Sequence, residues 1–149
     1  MRIRLQISQT QIEPVRRELE AAGIAIDDKA PYVLSEAAAD GHFLTVRGPE
    51  GERMQIAADG IIFIESYGHN VDVHTADGTY ASPEPLYRLA AVLDPHAFLR
   101  ISNSVIISKK HVKKIRPSLS MKFVLTLSDG TIVDVTRNYY SSFREFFNI

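Results

Sequence analysis

The sequence contains no cysteine. That excludes a disulfide framework, thiolate metal sites and a cysteine nucleophile, and it is compatible with a reducing compartment. No apolar run approaches the roughly 18 residues that a membrane span needs. The start, Met1-Arg2-Ile3-Arg4-Leu5-Gln6, does not read as a signal peptide, because Gln6, Ser8 and Gln9 interrupt any apolar stretch. A cytoplasmic protein without membrane insertion is therefore expected. Enzymatic signatures are equally scarce. There is no phosphate loop and no G-x-G-x-x-G, and the Gly48 to Gly51 segment joins two strands rather than opening a helix. No nucleophile elbow surrounds Ser102 or Ser104. His42, His69 and His74 lack the carboxylate–histidine spacing of zinc enzymes. Asp27-Asp28 is an acidic pair, but it lies in a segment of roughly 40 residues, too short for a phosphoreceiver domain of the doubly wound kind. The expectation is a protein that is not an enzyme, with no cofactor, no catalytic residue and no metal site.

What the chain does have is enough apolar material for a proper core. Its 149 residues are 45% hydrophobic, with 7 Phe and 6 Tyr, which suits one domain carrying a small appendage. The net charge of −1 hides an asymmetry. Residues 1–98 hold 8 Lys/Arg and 15 Asp/Glu, giving −7, whereas residues 99–149 hold 9 and 3, giving +6. Such segregation suggests a face built for a polyanion, unless folding mixes the charges again.

Periodicity predicts the elements. Ile3, Leu5 and Ile7 alternate as in a half-buried strand. Ile12, Val15, Leu19 and Ala22 recur at helical spacing, and Gly23 stops that helix. Ile24 with Ile26, and Pro31 to Leu34, complete a small β-α-β piece that is expected to pack on the rest of the chain. The boundary is placed in Ala37 to Gly41, giving a segment 1–40 and a domain 41–149. In that domain a hairpin is read from His42–Val46 and Arg53–Ile56. The strand Ile61–Ser66 comes next, then a loop at Tyr67-Gly68-His69-Asn70. Val71–Thr75 returns through Asp77-Gly78, a strong hairpin turn. Ser82-Pro83-Glu84 reads as a helix start with Ser82 at the N-cap, and Leu86, Leu89, Ala90 and Leu93 form its apolar face. A last hairpin runs from Lys122–Leu127 through Ser128-Asp129-Gly130 to Thr131–Thr136. Tyr140, Phe143, Phe146 and Phe147 predict a short amphipathic C-terminal helix. With about ten short strands and three helices, the fold class is mainly β (α+β): an antiparallel sandwich or barrel-like domain behind a β-α-β piece.

The chain is organised around Phe98–His111, F-L-R-I-S-N-S-V-I-I-S-K-K-H. A donor-rich segment with Arg100, Ser102, Asn103 and Ser104 is attached to Val105-Ile106-Ile107, a continuous apolar run of the sort used by a strand buried on both faces. It ends in Lys109, Lys110 and His111. His69 in its loop, Asn103 in its turn, and Arg137-Asn138 at the end of the last strand are of the types that read base edges. Arginine forks onto guanine and asparagine pairs with adenine, while histidine or serine donates to bases or phosphates. Lys109, Lys110, Lys113 and Lys114 are of the type that contacts phosphate.

Taken together, these segments resemble a LytTR domain, the LytR/AgrA-type DNA-binding domain of bacterial transcription regulators. The resemblance covers roughly 110 residues. It is carried by Ile61–Ser66 with its Gly-His-Asn loop, Val71–Thr75, the helix around Leu86 to Leu93, Phe98–Ser108, Val112–Ile115 and Thr136-Arg137-Asn138-Tyr139-Tyr140. It implies an elongated, mostly β domain of about ten strands that reads double-stranded DNA with loops entering successive major grooves. By position, His69, Asn103 and Arg137 match the principal DNA-contacting places. Arg100, Ser104 and the Lys109–His111 stretch lie in the backbone-contact neighbourhood. Many family members carry a receiver domain ahead of this one, and here only residues 1–40 stand there, so the short, stand-alone form is expected. Three roles suit residues 1–40: dimerisation, capture of a protein partner, or capping of the β domain. The expected function is a sequence-specific transcriptional regulator binding repeated sites as a homodimer. The alternative is a protein- or ligand-binding module that keeps the β fold without specific DNA binding.

Overall fold

The computed structural model describes residues 1–35 and 43–149. The sequence-based boundary in Ala37 to Gly41, and His42, lie outside the described residues. The chain divides into two compact units, Met1–Asp40 and Gly41–Ile149. In the first, β1 (Arg2–Gln6), α1 (Gln9–Ala21), β2 (Ala25–Ile26) and β3 (Tyr32–Ser35) form a three-stranded parallel sheet, order β2-β1-β3, with one helix. Gly23 follows α1 at φ +81°, a left-handed conformation open to glycine without strain. No helix among the described residues is long and apolar enough to cross a membrane.

The second unit is mostly β. Its first sheet comprises β4 (Phe43–Arg47), β5 (Arg53–Ala57), β6 (Ile61–Tyr67), β7 (Asn70–Thr75), β8 (Gly78–Ala81), β9 (Phe98–Arg100) and β10 (Val105–Ser108). Their order is β5-β4-β8-β7-β6-β10-β9, every pairing antiparallel. A helix, α2 (Leu86–Val92), connects β8 to β9. The second sheet is β11 (Val112–Ser118), β12 (Lys122–Leu127) and β13 (Ile132–Val135), also antiparallel, followed by α3 (Tyr140–Phe147).

Two apolar cores flank the large sheet. Leu86, Leu89 and Leu93 of the α2 region pack with Val46, Val73, Ile64 and Ile106 in one. Leu125, Leu127, Val135 and Phe143 pack with Ile62, Phe63, Ile101 and Ile107 in the other. Strand β10 therefore separates its two central residues, Ile106 to the first core and Ile107 to the second, which is why it is apolar without alternation. Strand β6 is buried over Ile61 to Ile64 for the same reason, but its register shifts. A bulge between Ile61 and Phe63 sets Ile62 and Phe63 into one core while Ile61 and Ile64 enter the other.

One helix boundary differs from the sequence reading. Ser82 does not cap α2. Its hydroxyl accepts the Glu84 N–H at 3.0 Å in a local turn, and the helix begins only after Pro85. Glu84 precedes a proline, which disfavours helical φ/ψ for it and delays the start.

Candidate nucleic-acid interface

The antiparallel register sets which loops meet. Strand β10 begins at Val105 beside Glu65 of β6, so the turn before β10 and the turn after β6 lie at the same end of the sheet. The Ser66 N–H donates to the Ser104 carbonyl at 2.8 Å and ties them together. The β6–β7 turn is two residues, Gly68 and His69, between the paired Tyr67 and Asn70. Gly68 has φ +56° at the first central position, while His69 is not left-handed, the sign pattern of a type II′ hairpin turn. Below the turn, the Tyr67 hydroxyl donates to Asp72 at 2.8 Å, and the acceptor carboxylate holds the phenol above its ordinary pKa. His74 Nε2 lies 3.0 Å from Glu65 Oε1, and the His74 ring stacks on Phe63 at 4.1 Å. These contacts brace the hairpin that presents His69. Glu65, Asp72 and His74 also place ligand-type atoms within 4.8 Å of one another, a cluster the sequence spacing did not suggest.

The Ser102–Ser104 turn is built by side chains of its own neighbourhood. Arg100 folds back onto it, donating Nε–H to the Ser102 carbonyl at 3.2 Å and an Nη2–H to the Asn103 carbonyl at 2.6 Å. The Ser102 hydroxyl, buried, accepts the Ser104 N–H at 3.2 Å. Asn103 itself is exposed.

The end of β13 completes the group. The Thr136 N–H donates to the Ile101 carbonyl at 3.0 Å, and the Tyr139 hydroxyl donates to Asn103 Oδ1 at 3.3 Å. The 3₁₀ turn Arg137–Tyr139 is thereby held against the Asn103 turn, with Arg137 and Asn138 exposed. Among the described residues, nothing hydrogen-bonds or ion-pairs with the side chains of His69, Arg137 or Asn138. Their donors are open to a ligand. Removing the Tyr139 hydroxyl tests the brace: Tyr139→Phe is expected to lower affinity for a duplex by about 0.5–1.5 kcal/mol and to leave the melting temperature nearly unchanged, read by titration and thermal denaturation.

The Lys109–His111 stretch is placed elsewhere. It leaves the opposite end of β10, four residues or roughly 13 Å from Val105. Lys109 Nζ sits 5.0 Å from the Phe146 ring centroid, at the far end of α3. Lys110 Nζ is 4.0 Å from Asp59 Oδ2, and His111 Nδ1 is 2.8 Å from Ser128 Oγ. These groups have partners within the fold, unlike His69 and Arg137. Lys113 lies at this same end, in the bulge between Val112 and Lys114 where β11 meets Leu127, and it is exposed. The candidate residues thus fall into two sets, one at each end of the strands. Arg100 belongs to the first set as a brace with part of its guanidinium committed to backbone carbonyls. Tyr139 and Thr136, which hold the Arg137 turn against the Asn103 turn, are not legible as braces in the sequence because their roles depend on pairing across 35 or more positions, as the Ile101–Thr136 and Asn103–Tyr139 bonds show.

A seven-stranded antiparallel sheet backed by a three-stranded sheet, with the turns around residues 69, 103 and 137 at one end, defines a mainly β class of domain. The LytTr DNA-binding domain family model matches residues 51–148, and the chain belongs to that family. It is 26% identical over 137 residues to the transcriptional regulatory protein LytR of Staphylococcus aureus, a match covering 91% of this chain and 55% of that protein. It is 37% identical over 79 residues to the CO-responsive transcriptional regulator RcoM of Rhodospirillum rubrum, covering 52% of this chain and 34% of the relative. The chain thus spans about half the length of the LytR proteins it matches. A solved LytTr DNA-binding domain of a response regulator from Bacillus cereus shares the fold, with a TM-score of 0.67 at 22% identity, over 72% of this chain and 97% of that one.

Proposed function

We propose that this protein is a sequence-specific double-stranded DNA-binding transcriptional regulator with no enzymatic activity. His69, Asn103, Arg137 and Asn138 read base edges in the major groove, and Ser104 contacts the adjacent DNA backbone. The observation that carries the proposal is the convergence of three chain segments, around residues 69, 103 and 137, on one end of the sheet, with the His69, Arg137 and Asn138 side chains unpartnered among the described residues. Membership of the LytTR DNA-binding family and the charge of the chain point the same way. Between Asp94 and Asp129 the sequence has seven Lys/Arg and no Asp/Glu. Two copies on adjacent repeats raise the avidity of the assembly, and a homodimer on repeated sites is the proposed form. Residues 1–40 are the segment available to a protein partner or to dimer formation.

Selection of bound sites from a random duplex pool tests the reading, because it returns specificity, repeat spacing and stoichiometry together. A consensus with affinity falling steeply as salt rises is expected. A chain that retains no duplex, or that binds with no salt dependence, favours a protein- or ligand-binding module on the same fold. The distant cations have their own expected signature. Lys109, Lys110 and Lys113 act through the field at the far end of the strands rather than by contact with bases, and His111 lies among them with its ring engaged by Ser128. Lys113→Ala is therefore expected to weaken all sequences alike at low salt and to lose that effect near 0.15 M, where the screening length is about 8 Å. Parallel titrations on the selected and an unrelated duplex measure this.

A further inference from the structure

The β11–β12 hairpin ends in a feature that base reading by residues 69, 103 and 137 does not use. Its loop is three residues, Leu119-Ser120-Met121, closed by the Ser118–Lys122 pair. Leu119 is 88% exposed and Met121 50%. Apolar side chains so far out on a loop contribute little to folding. Ser120 and Met121 hold left-handed φ values of 66° and 57° without being glycine, which keeps the tip narrow at the cost of backbone strain.

The stem beneath it is stiff. Pro117 pairs with Phe123, and Phe123 is buried against Tyr140, with ring centroids 5.0 Å apart, and against Phe143. The apolar core therefore reaches to within two residues of the tip. The tip also lies at the reading end. Phe123 pairs with Val135, so the register carried one step further sets Lys122 beside Thr136, the residue before Arg137. Strands stand about 4.8 Å apart, which puts the β11 side of the tip roughly 10 Å from the stem of Arg137. Arg116 and Lys122, both exposed and without an acidic partner among the described residues, flank the tip. A narrow apolar wedge between two cations is complementary to a groove walled by phosphates. Leucine and methionine are among the side chains that enter the minor groove and unstack a base step.

We infer that the 119–121 tip is a fourth DNA contact, with Leu119 and Met121 wedging into the minor groove beside the major groove that Arg137 enters, and Arg116 and Lys122 holding the adjacent phosphates. This inference rests on the DNA-reading proposal and adds a deformation step to it. The test scans 2-aminopurine through the selected duplex and measures its fluorescence with the whole chain bound. The wild type is expected to unstack one step, seen as a localised rise in fluorescence, and to kink the duplex by roughly 20–90°. The Leu119→Ala/Met121→Ala variant is expected to bind with neither the rise nor most of the kink. Leu119→Phe keeps a wedge and is expected to keep both. A wild-type complex with no unstacked step, or a double variant that unstacks the same step equally, overturns the inference and leaves the reading by His69, Asn103 and Arg137 standing. A wild type that retains no duplex overturns both.

Discussion

Replacing Arg137 by alanine is expected to cost about 1–3 kcal/mol of binding to the selected duplex, roughly a 5- to 150-fold loss. The loss is expected to concentrate on the base pairs that Arg137 reads, so specificity relaxes at that position while non-specific binding changes little. The reason lies in what surrounds the residue. Arg137 is exposed on a 3₁₀ turn that follows the last strand, and its guanidinium has no partner among the described residues. Its turn is fixed by the Thr136 N–H on the Ile101 carbonyl and by Tyr139 on Asn103. A side chain held at its base and free at its fork is pre-organised for a bidentate acceptor such as guanine. Removing it deletes an attractive contact without leaving a buried group unsatisfied in the free protein. Arg137→Ala should therefore melt like the wild type, and an equal affinity of the two proteins for the selected site would remove Arg137 from the reading set.

The largest stability effect is expected at the opposite extreme of burial. Phe143 is fully buried and lies at the centre of the core between β10, β12 and α3. Its ring is 5.0 Å from Phe123 and 4.8 Å from Phe147. Phe143→Ala removes the aromatic contacts and opens a cavity that the two sheets cannot easily collapse. A loss of about 3–5 kcal/mol is expected, against the 5–15 kcal/mol that roughly spans whole-domain stabilities. Denaturant titration reads it. The same substitution loosens α3 behind the Arg137–Tyr139 turn, so DNA affinity falls with stability. That coupling separates it from Arg137→Ala, which lowers affinity alone. An unfolding midpoint unchanged in Phe143→Ala would mean that α3 is not part of the core.

The parts of this fold that are legible from sequence are those written in local pattern. The unalternating Val105-Ile106-Ile107 run belongs to a strand with a core on each face, and the Gly68-His69 turn sits between two strands whose apolar residues announce them. The alternation of Val71 and Val73 with Asp72 and His74 is the alternation of a sheet face. What escapes is set by geometry across the chain. Phe98–His111 reads as a donor-rich segment on a buried strand with phosphate-binding lysines at its end, yet strand β10 carries those lysines to the end opposite Asn103. Arg100 has the composition of a phosphate ligand, but the turn two residues on offers its carbonyls first. The bulge in β6 leaves no mark in composition, because isoleucine and phenylalanine suit either core. The apolar hairpin tip at Leu119 and Met121 is inconspicuous in sequence, since its meaning depends on which end of the sheet it occupies.

DNA reading by one end of the β unit has a direct signature in backbone amide NMR of the whole chain, titrated with the selected duplex. Chemical-shift changes are expected to cluster at Tyr67–Asn70, Ser102–Ser104, Thr136–Tyr139 and the 119–121 tip, with small changes at Lys109–His111 and Asp59. Changes centred on Lys109–His111, or confined to residues 1–35, would contradict reading from that end.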